Sequence, residues 1–142
     1  MATASEPKKV RVGFIGTGAV TAYHHLPGLL LDPRAELTAI CDTVPDVLEK
    51  RRAEWNVAYA TTDPLALCAS DKVDAVVIAT PNDTHRPIAV AAAQAGKHVM
   101  CEKPLGLSAH EVRAMYEAAR DTGVVHMTAF TYRFAPAMRY LR

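Results

Sequence analysis

The stretch VRVGFIGTGAVT, residues 10–21, decides how the chain folds. Its first half, Val10 to Ile15, is a short apolar run that ends in glycines and predicts a β-strand. From Ala19 to Leu31 the spacing turns helical, with Val20, Tyr23, Leu26 and Leu30 on the face expected to meet a core. Pro27 lies inside that helix and should bend it or remove one hydrogen bond. The alternation continues outward. Glu36–Cys41 predicts a second strand, Pro45–Trp55 a helix, and Ala58–Ala60 a weak third strand. Asp63 and Pro64 then open a short helix as cap and first residue. Val73–Ala79 predicts a fourth strand, apolar enough to be buried on both faces. Thr84–Ala95 predicts an alanine-rich helix stopped by Gly96, and Lys97–Met100 a fifth strand. Ser108 and Glu111 form a capping box for a helix that turns Val112, Met115, Tyr116 and Ala119 to one side. Val124–Thr128 predicts a sixth strand. Strands alternating with helices imply an α/β fold: a doubly wound, mostly parallel sheet covered on both faces.

The chain has 142 residues, half of them apolar, which suits one domain with a core. Residues 1–9 are expected to be a flexible tail, residues 10–129 the domain, and residues 130–142 the start of something new. Sixteen Lys and Arg against fifteen Asp and Glu give no reason to expect a nucleic-acid or anionic-membrane partner. No apolar run approaches the ~20 residues that span a bilayer, and no apolar stretch precedes Val10, so no secretory signal is expected. Cys41, Cys68 and Cys101 are odd in number and lack CxxC spacing, which argues against a disulfide framework or a zinc site. The expected compartment is a reducing cytoplasm, and no metal is expected.

Parallel sheets bind ligands beyond the carboxyl ends of their strands. The first strand ends in Gly16-Thr17-Gly18-Ala19-Val20-Thr21, a G-x-G-x-x-T pattern one residue away from the dinucleotide fingerprint. Gly16 permits a tight turn, Gly18 lets the backbone approach a pyrophosphate, and the helix start offers free amides and partial positive charge. Thr21 replaces the third glycine, which should loosen the helix on the sheet. The alternative is a structural glycine turn. The second strand ends in Asp42, 24 residues after Gly18, where a ribose-binding acid would sit. Asp42 would repel a 2′-phosphate and Thr43 offers no cation, so NAD is preferred over NADP. Arg51 and Arg52 are expected to lie too far away to matter. The alternative for Asp42 is a helix cap.

The fourth strand ends in Thr80-Pro-Asn-Asp-Thr-His85. Asn82 or Asp83 would serve equally as caps, the better reading for Asp83, and His85 would either donate to a ligand or be solvated. The fifth strand ends in Cys101-Glu102-Lys103-Pro104. A free lysine ammonium, titrating near ~10.4, is a poor base at neutral pH, and an adjacent cation would favour the neutral amine. The alternative for Lys103 is a surface lysine. The bond before Pro104 is a candidate for the cis form.

These segments, in this order, resemble the glucose-fructose oxidoreductase / inositol 2-dehydrogenase / rhizopine-catabolism (Gfo/Idh/MocA) family. The matching pieces are residues 12–18, Ala39–Asp42, Ala79–His85, Ala95–Pro104 and Tyr132–Phe134, and the run from Gly96 to Pro104 is the most specific. The resemblance implies a two-domain NAD(P)-dependent enzyme that oxidises a sugar or cyclitol hydroxyl, or runs the reverse. Gly16, Thr17, Gly18, Ala19 and Val20 would then border the pyrophosphate, and Asp42 the adenosine ribose. Thr80, Pro81, Asn82 and His85 would border the nicotinamide, Glu102 would contact the cofactor ribose, and Lys103 would assist deprotonation of the reacting hydroxyl. Arg133 would be a further contact.

The family continues into a second domain, on an open antiparallel sheet, that carries an Asp/His pair, much of the substrate pocket and the usual homo-oligomer interface. These 142 residues are expected to carry none of it. The chain is therefore expected to be a cofactor-binding half, with little turnover by itself because the base has no secured geometry. Apolar surface meant for the second domain should be exposed. A non-catalytic nucleotide-binding module is the alternative. A methyltransferase would explain Gly16, Gly18 and Asp42 but gives no reason for Glu102-Lys103-Pro104.

Overall fold

The computed structural model describes residues 8–141; of the tail expected at residues 1–9, residues 1–7 lie outside the described residues. The apolar run before the glycine turn forms β1 (Val10–Ile15). The chain then makes β2 (Ala35–Cys41), α2 (Pro45–Glu54), β3 (Tyr59–Thr61), α3 (Pro64–Ala69) and β4 (Ala75–Ile78). It continues through α4 (His85–Gln94), β5 (His98–Cys101), α5 (Ala109–Thr122) and β6 (His126–Thr128). All six strands join one sheet in the order β3-β2-β1-β4-β5-β6. Every pair is parallel.

Side-chain alternation builds two cores on this sheet. Val12, Phe14 and Ile40 pack with Leu48 of α2 on one face. Ile15, Ala39, Cys41, Val76 and Ile78 pack on the other face with Leu67 of α3, Ile88 and Ala92 of α4, and Met115 of α5. Full removal of such side chains from water supplies roughly 1.5–3 kcal/mol each.

The first helix departs from its expected pattern at the proline. Residues Thr21–His25 form a π-helical turn, closed by a bond from the Leu26 amide to the Thr21 carbonyl, before α1 (Leu26–Leu30) resumes. An α-helical Pro27 would lack a donor and crowd the carbonyl four residues back, and the wider turn relieves that crowding. The extra residue also turns the face. Leu26 and Leu29 pack on the core, whereas Tyr23 is 73% and Leu30 71% exposed, and Val20 is exposed too. The core positions expected from unbroken 3.6-residue spacing are therefore wrong for Val20, Tyr23 and Leu30.

Other boundaries follow their signals. Asp63 accepts from the Leu65 amide with Pro64 at the first helical position. Gly96 takes φ +73° after α4, and the Lys97 amide closes the turn on the Ala92 carbonyl. The capping box is only half realised. Ser108 Oγ accepts from the Glu111 amide, but the Glu111 carboxylate reaches past Ser108 to the Leu107 amide at 2.8 Å. In α5, Met115 and Ala119 are buried while Tyr116 is exposed and stacks edge-on with His126 of β6. Beyond β6, the chain makes a short turn and α6 (Pro136–Tyr140). Phe130, Tyr132, Phe134, Tyr140 and Leu141 expose their side chains.

Candidate functional site

Strand register brings the loops named by the sequence to one edge. Ile15 pairs with Cys41 and with Ile78, and Ile78 pairs with Cys101, so β2, β1, β4 and β5 end at one level. One further bond per pair continues the ladder: Gly16 amide to Cys41 carbonyl, Ala79 amide to Ile15 carbonyl, and Glu102 amide to Ile78 carbonyl, at 2.8–2.9 Å. Three interstrand steps separate Asp42 from Glu102, or roughly 14 Å. The glycine turn and the lysine loop therefore share one side of the molecule, with only the Thr80 loop between them.

Gly16 has φ +92°, and a Cβ there would run into the Ala79 carbonyl of the neighbouring strand end. Both the turn and the close approach require glycine. Gly18 differs: a Cβ there meets nothing within 4 Å, because the position faces the open crevice. Ala19 and Val20, in the helix's first turn, are exposed beside it. Thr21 does not loosen the helix as expected. It is buried, and its hydroxyl donates to the Gly16 carbonyl at 2.6 Å, pinning the helix start to the turn.

Asp42 organises this turn. Its Oδ2 accepts from the Thr17 amide at 3.0 Å and the Thr17 hydroxyl at 2.6 Å, and its Oδ1 accepts from the Val44 amide at 3.1 Å. The cap alternative is met only in part: Asp42 accepts from the amide of Val44, the N-cap of α2, but is not itself the cap residue. Burial would raise the Asp42 carboxyl, but the donors from Thr17 and Val44 and the nearby Arg51 charge outweigh it, leaving it below the ordinary carboxylate value. Thr17 has no exposed surface, so it meets Asp42 rather than a ligand, contrary to its assignment as a contact. Arg51 is also nearer than expected. Its Nε donates to the Thr17 carbonyl at 3.3 Å while its guanidinium pairs with Glu54 and lies over Trp55. Helical spacing gives no hint of this reach, which depends on how α2 lies on the sheet.

At the end of β4, Thr80 is half-buried and Pro81 and Asn82 are exposed. The Thr84 hydroxyl lies 2.7 Å from both Thr80 Oγ1 and the Pro81 carbonyl. Asn82 opens a single 3-10 turn, and neither the cap of that turn nor the cap of α4 uses a side-chain bond, so Asp83 does not cap. His85 is neither solvated nor facing a ligand. It is 0% exposed, with Nδ1 3.1 Å from the Pro104 carbonyl and Nε2 2.9 Å from the Thr80 carbonyl. The ring packs beneath both loops, and its neutral form can donate to one of the two carbonyls.

At the end of β5, Lys103 is exposed and its amide donates to Glu102 Oε2 at 3.1 Å. The Lys103–Pro104 bond is cis. Glu102 Oε1 meets His25 Nε2 at 2.9 Å, with the two side chains only 13% and 9% exposed. Sequence reading passed over His25, because its approach depends on the π-helical turn. Arg133, in the exposed turn after β6, reaches none of these loops through a side-chain bond among the described residues.

A crevice of about 530 Å3 is lined by Gly16, Gly18, Asp42, Thr80 and Pro81 from the ends of β1, β2 and β4 and by Pro64, Leu65, Pro87 and Ile88; Glu102 and Lys103 lie outside this lining. That volume lies in the range of small-molecule and cofactor sites. Its chemistry fits a dinucleotide: a glycine turn and helix start for phosphates, a carboxylate for ribose hydroxyls, and an apolar slot for a base. The slot residues were not legible, since they come from α3 and α4. Among the described residues no cluster of metal-ligating side chains occurs and no helix is long and apolar enough to cross a membrane. The three cysteines are free and buried, as expected for Cys41 and Cys101.

Comparison with known proteins agrees with this geometry. A family model described as "Oxidoreductase family, NAD-binding Rossmann fold" matches residues 10–130. Levoglucosan dehydrogenase of Pseudarthrobacter phenanthrenivorans is 37% identical over 129 residues, covering 89% of this chain and 33% of that protein. The scyllo-inositol 2-dehydrogenase (NAD(+)) of Bacillus subtilis is 33% identical over 129 residues, covering 91% and 38%. A probable dehydrogenase from Thermotoga maritima has a solved structure that superposes with TM-score 0.87 at 35% identity, covering 93% of this chain and 39% of that one. Relatives named for NAD(+) and for NADP(+) both occur. The chain spans about a third to two fifths of the length of these relatives.

Proposed function

The chain belongs to the Gfo/Idh/MocA oxidoreductase family, and on that premise we propose that it is the cofactor-holding part of an NAD(P)-dependent dehydrogenase of a sugar, cyclitol or related secondary alcohol. The observation that carries this reading is the common level at which β2, β1, β4 and β5 end, with a crevice lined by the loops after the first three of them. A nicotinamide held here would supply the hydride acceptor or donor. Gly16, Gly18 and the amides of Ala19 and Val20 hold the diphosphate. Asp42, with lone pairs left on Oδ1, accepts from the adenosine ribose hydroxyls. Pro64, Leu65, Pro87 and Ile88 flank the adenine. Thr80, Pro81 and Asn82 border the nicotinamide half, and Glu102 its ribose. Lys103 hydrogen-bonds the reacting hydroxyl and assists its deprotonation. Thr17 and His85 act indirectly, by holding Asp42 and by packing beneath the Thr80 and Pro104 loops.

We keep NAD as the preferred cofactor. A 2′-phosphate would meet the Asp42 carboxylate, and Arg51, the nearest cation, is already engaged by Glu54 and the Thr17 carbonyl. Calorimetric titration of the chain with NAD+ and NADP+ tests this reading. NAD+ is expected to bind at one site and more tightly. Lys103→Ala should change that affinity little, since Lys103 serves the substrate. Tighter NADP+ binding would reverse the preference, and no binding of either would overturn the reading.

A further inference from the structure

His25 and Glu102 come from elements that leave the sheet at different strands, yet they meet at 2.9 Å with little exposed side chain. Both oxygens of Glu102 are engaged: Oε1 with His25 Nε2, and Oε2 with the Lys103 amide. A carboxylate held at both ends has one orientation, and it also fixes the backbone that carries Lys103. His25 is the last residue of the π-helical turn Thr21–His25. Such turns re-aim the side chains within them and recur at functional sites. The contact needs a proton on Nε2, which both the Nε2–H tautomer and the imidazolium provide.

We propose that His25 is a positioning residue for the nicotinamide half of the site. It orients Glu102, and so links the helix behind the glycine turn to the loop that carries Lys103. Because that helix also starts at the diphosphate site, diphosphate and nicotinamide ribose are registered against each other by one rigid element. This inference rests on the cofactor reading above.

The experiment titrates the chain and its variants with NAD+ and, separately, with ADP, which lacks the nicotinamide half. His25→Ala should weaken NAD+ binding roughly tenfold while ADP binding stays within about twofold, as expected for losing a hydrogen bond to a charged group. His25→Gln, whose side-chain amide can donate to the same oxygen, should recover most of the loss. In a Glu102→Ala background, His25→Ala should add little further. Unchanged NAD+ affinity in His25→Ala, or equal losses for NAD+ and ADP in both His25 variants, would overturn the proposal while leaving the cofactor reading intact. A parent chain that binds neither probe would overturn both.

Discussion

The amide and the hydroxyl of Thr17 both donate to one oxygen of Asp42, at 3.0 and 2.6 Å, and Thr17 has no contact with water. The acid at the end of β2 therefore shapes the glycine turn before any ligand arrives. Asp42→Ala would strand two buried donors. We expect a loss of roughly 2–4 kcal/mol, read by urea unfolding, together with weaker NAD+ binding. A variant as stable as the parent would show that the turn is held by other contacts.

Asp42 also sets an acid limit. Its carboxyl is held below the ordinary ~3.9, because the Thr17 and Val44 donors and Arg51 outweigh the opposing effect of burial. The carboxylate's contribution to stability is thus fully present above ~3.9 and is lost as pH falls through the lower folded value. Unfolding curves should steepen in pH dependence there for the parent and flatten for Asp42→Asn. Identical acid profiles would remove Asp42 as the source.

Gly16 and Gly18 should separate folding from binding. Gly16→Ala needs a left-handed backbone and space occupied by the Ala79 carbonyl, so it should cost roughly 2 kcal/mol or more. Gly18→Ala meets open space. It should melt close to the parent temperature yet lose at least about tenfold in NAD+ affinity, because the added methyl occupies the path of the diphosphate. Normal affinity in Gly18→Ala would place the diphosphate elsewhere.

The buried thiols predict an alkaline limit. Burial first, and then neighbouring negative charge, pushes Cys41 to about 12, Cys68 to about 11 and Cys101 to about 12. Below ~8.5 the thiols are neutral in both folded and unfolded chains. As pH rises past that value, only the unfolded chain ionises, so stability falls progressively towards 12. The folded chain should also resist thiol-directed alkylation at pH 8 until denaturant is added. Rapid labelling of the folded chain would contradict the burial.

The topology was legible because periodicity, Gly and Pro record it directly: β4 is a continuous apolar run, and Asp63–Pro64 and Gly96 cap as written. The helix after β1 was not legible in its packing, because a π turn just before Pro27 shifts the face and leaves Tyr23 and Leu30 outside. The candidate site was legible at the level of strand ends. What sequence could not supply was orientation. Thr17 and His85 turn inward, Arg51 reaches back from α2, and His25 crosses to Glu102. Each depends on how two elements sit together, which local pattern does not encode.

The account depends on a single nicotinamide dinucleotide spanning the loops after β2, β1, β4 and β5. Titrating isotope-labelled chain with NAD+ and following the backbone amides tests this directly. The account predicts the largest shifts at Gly16–Thr21, Asp42–Val44, Thr80, Asn82 and Glu102–Lys103, saturating together at one site. Saturable shifts confined to another surface, or none at Glu102 and Lys103 while the glycine turn responds, would contradict it.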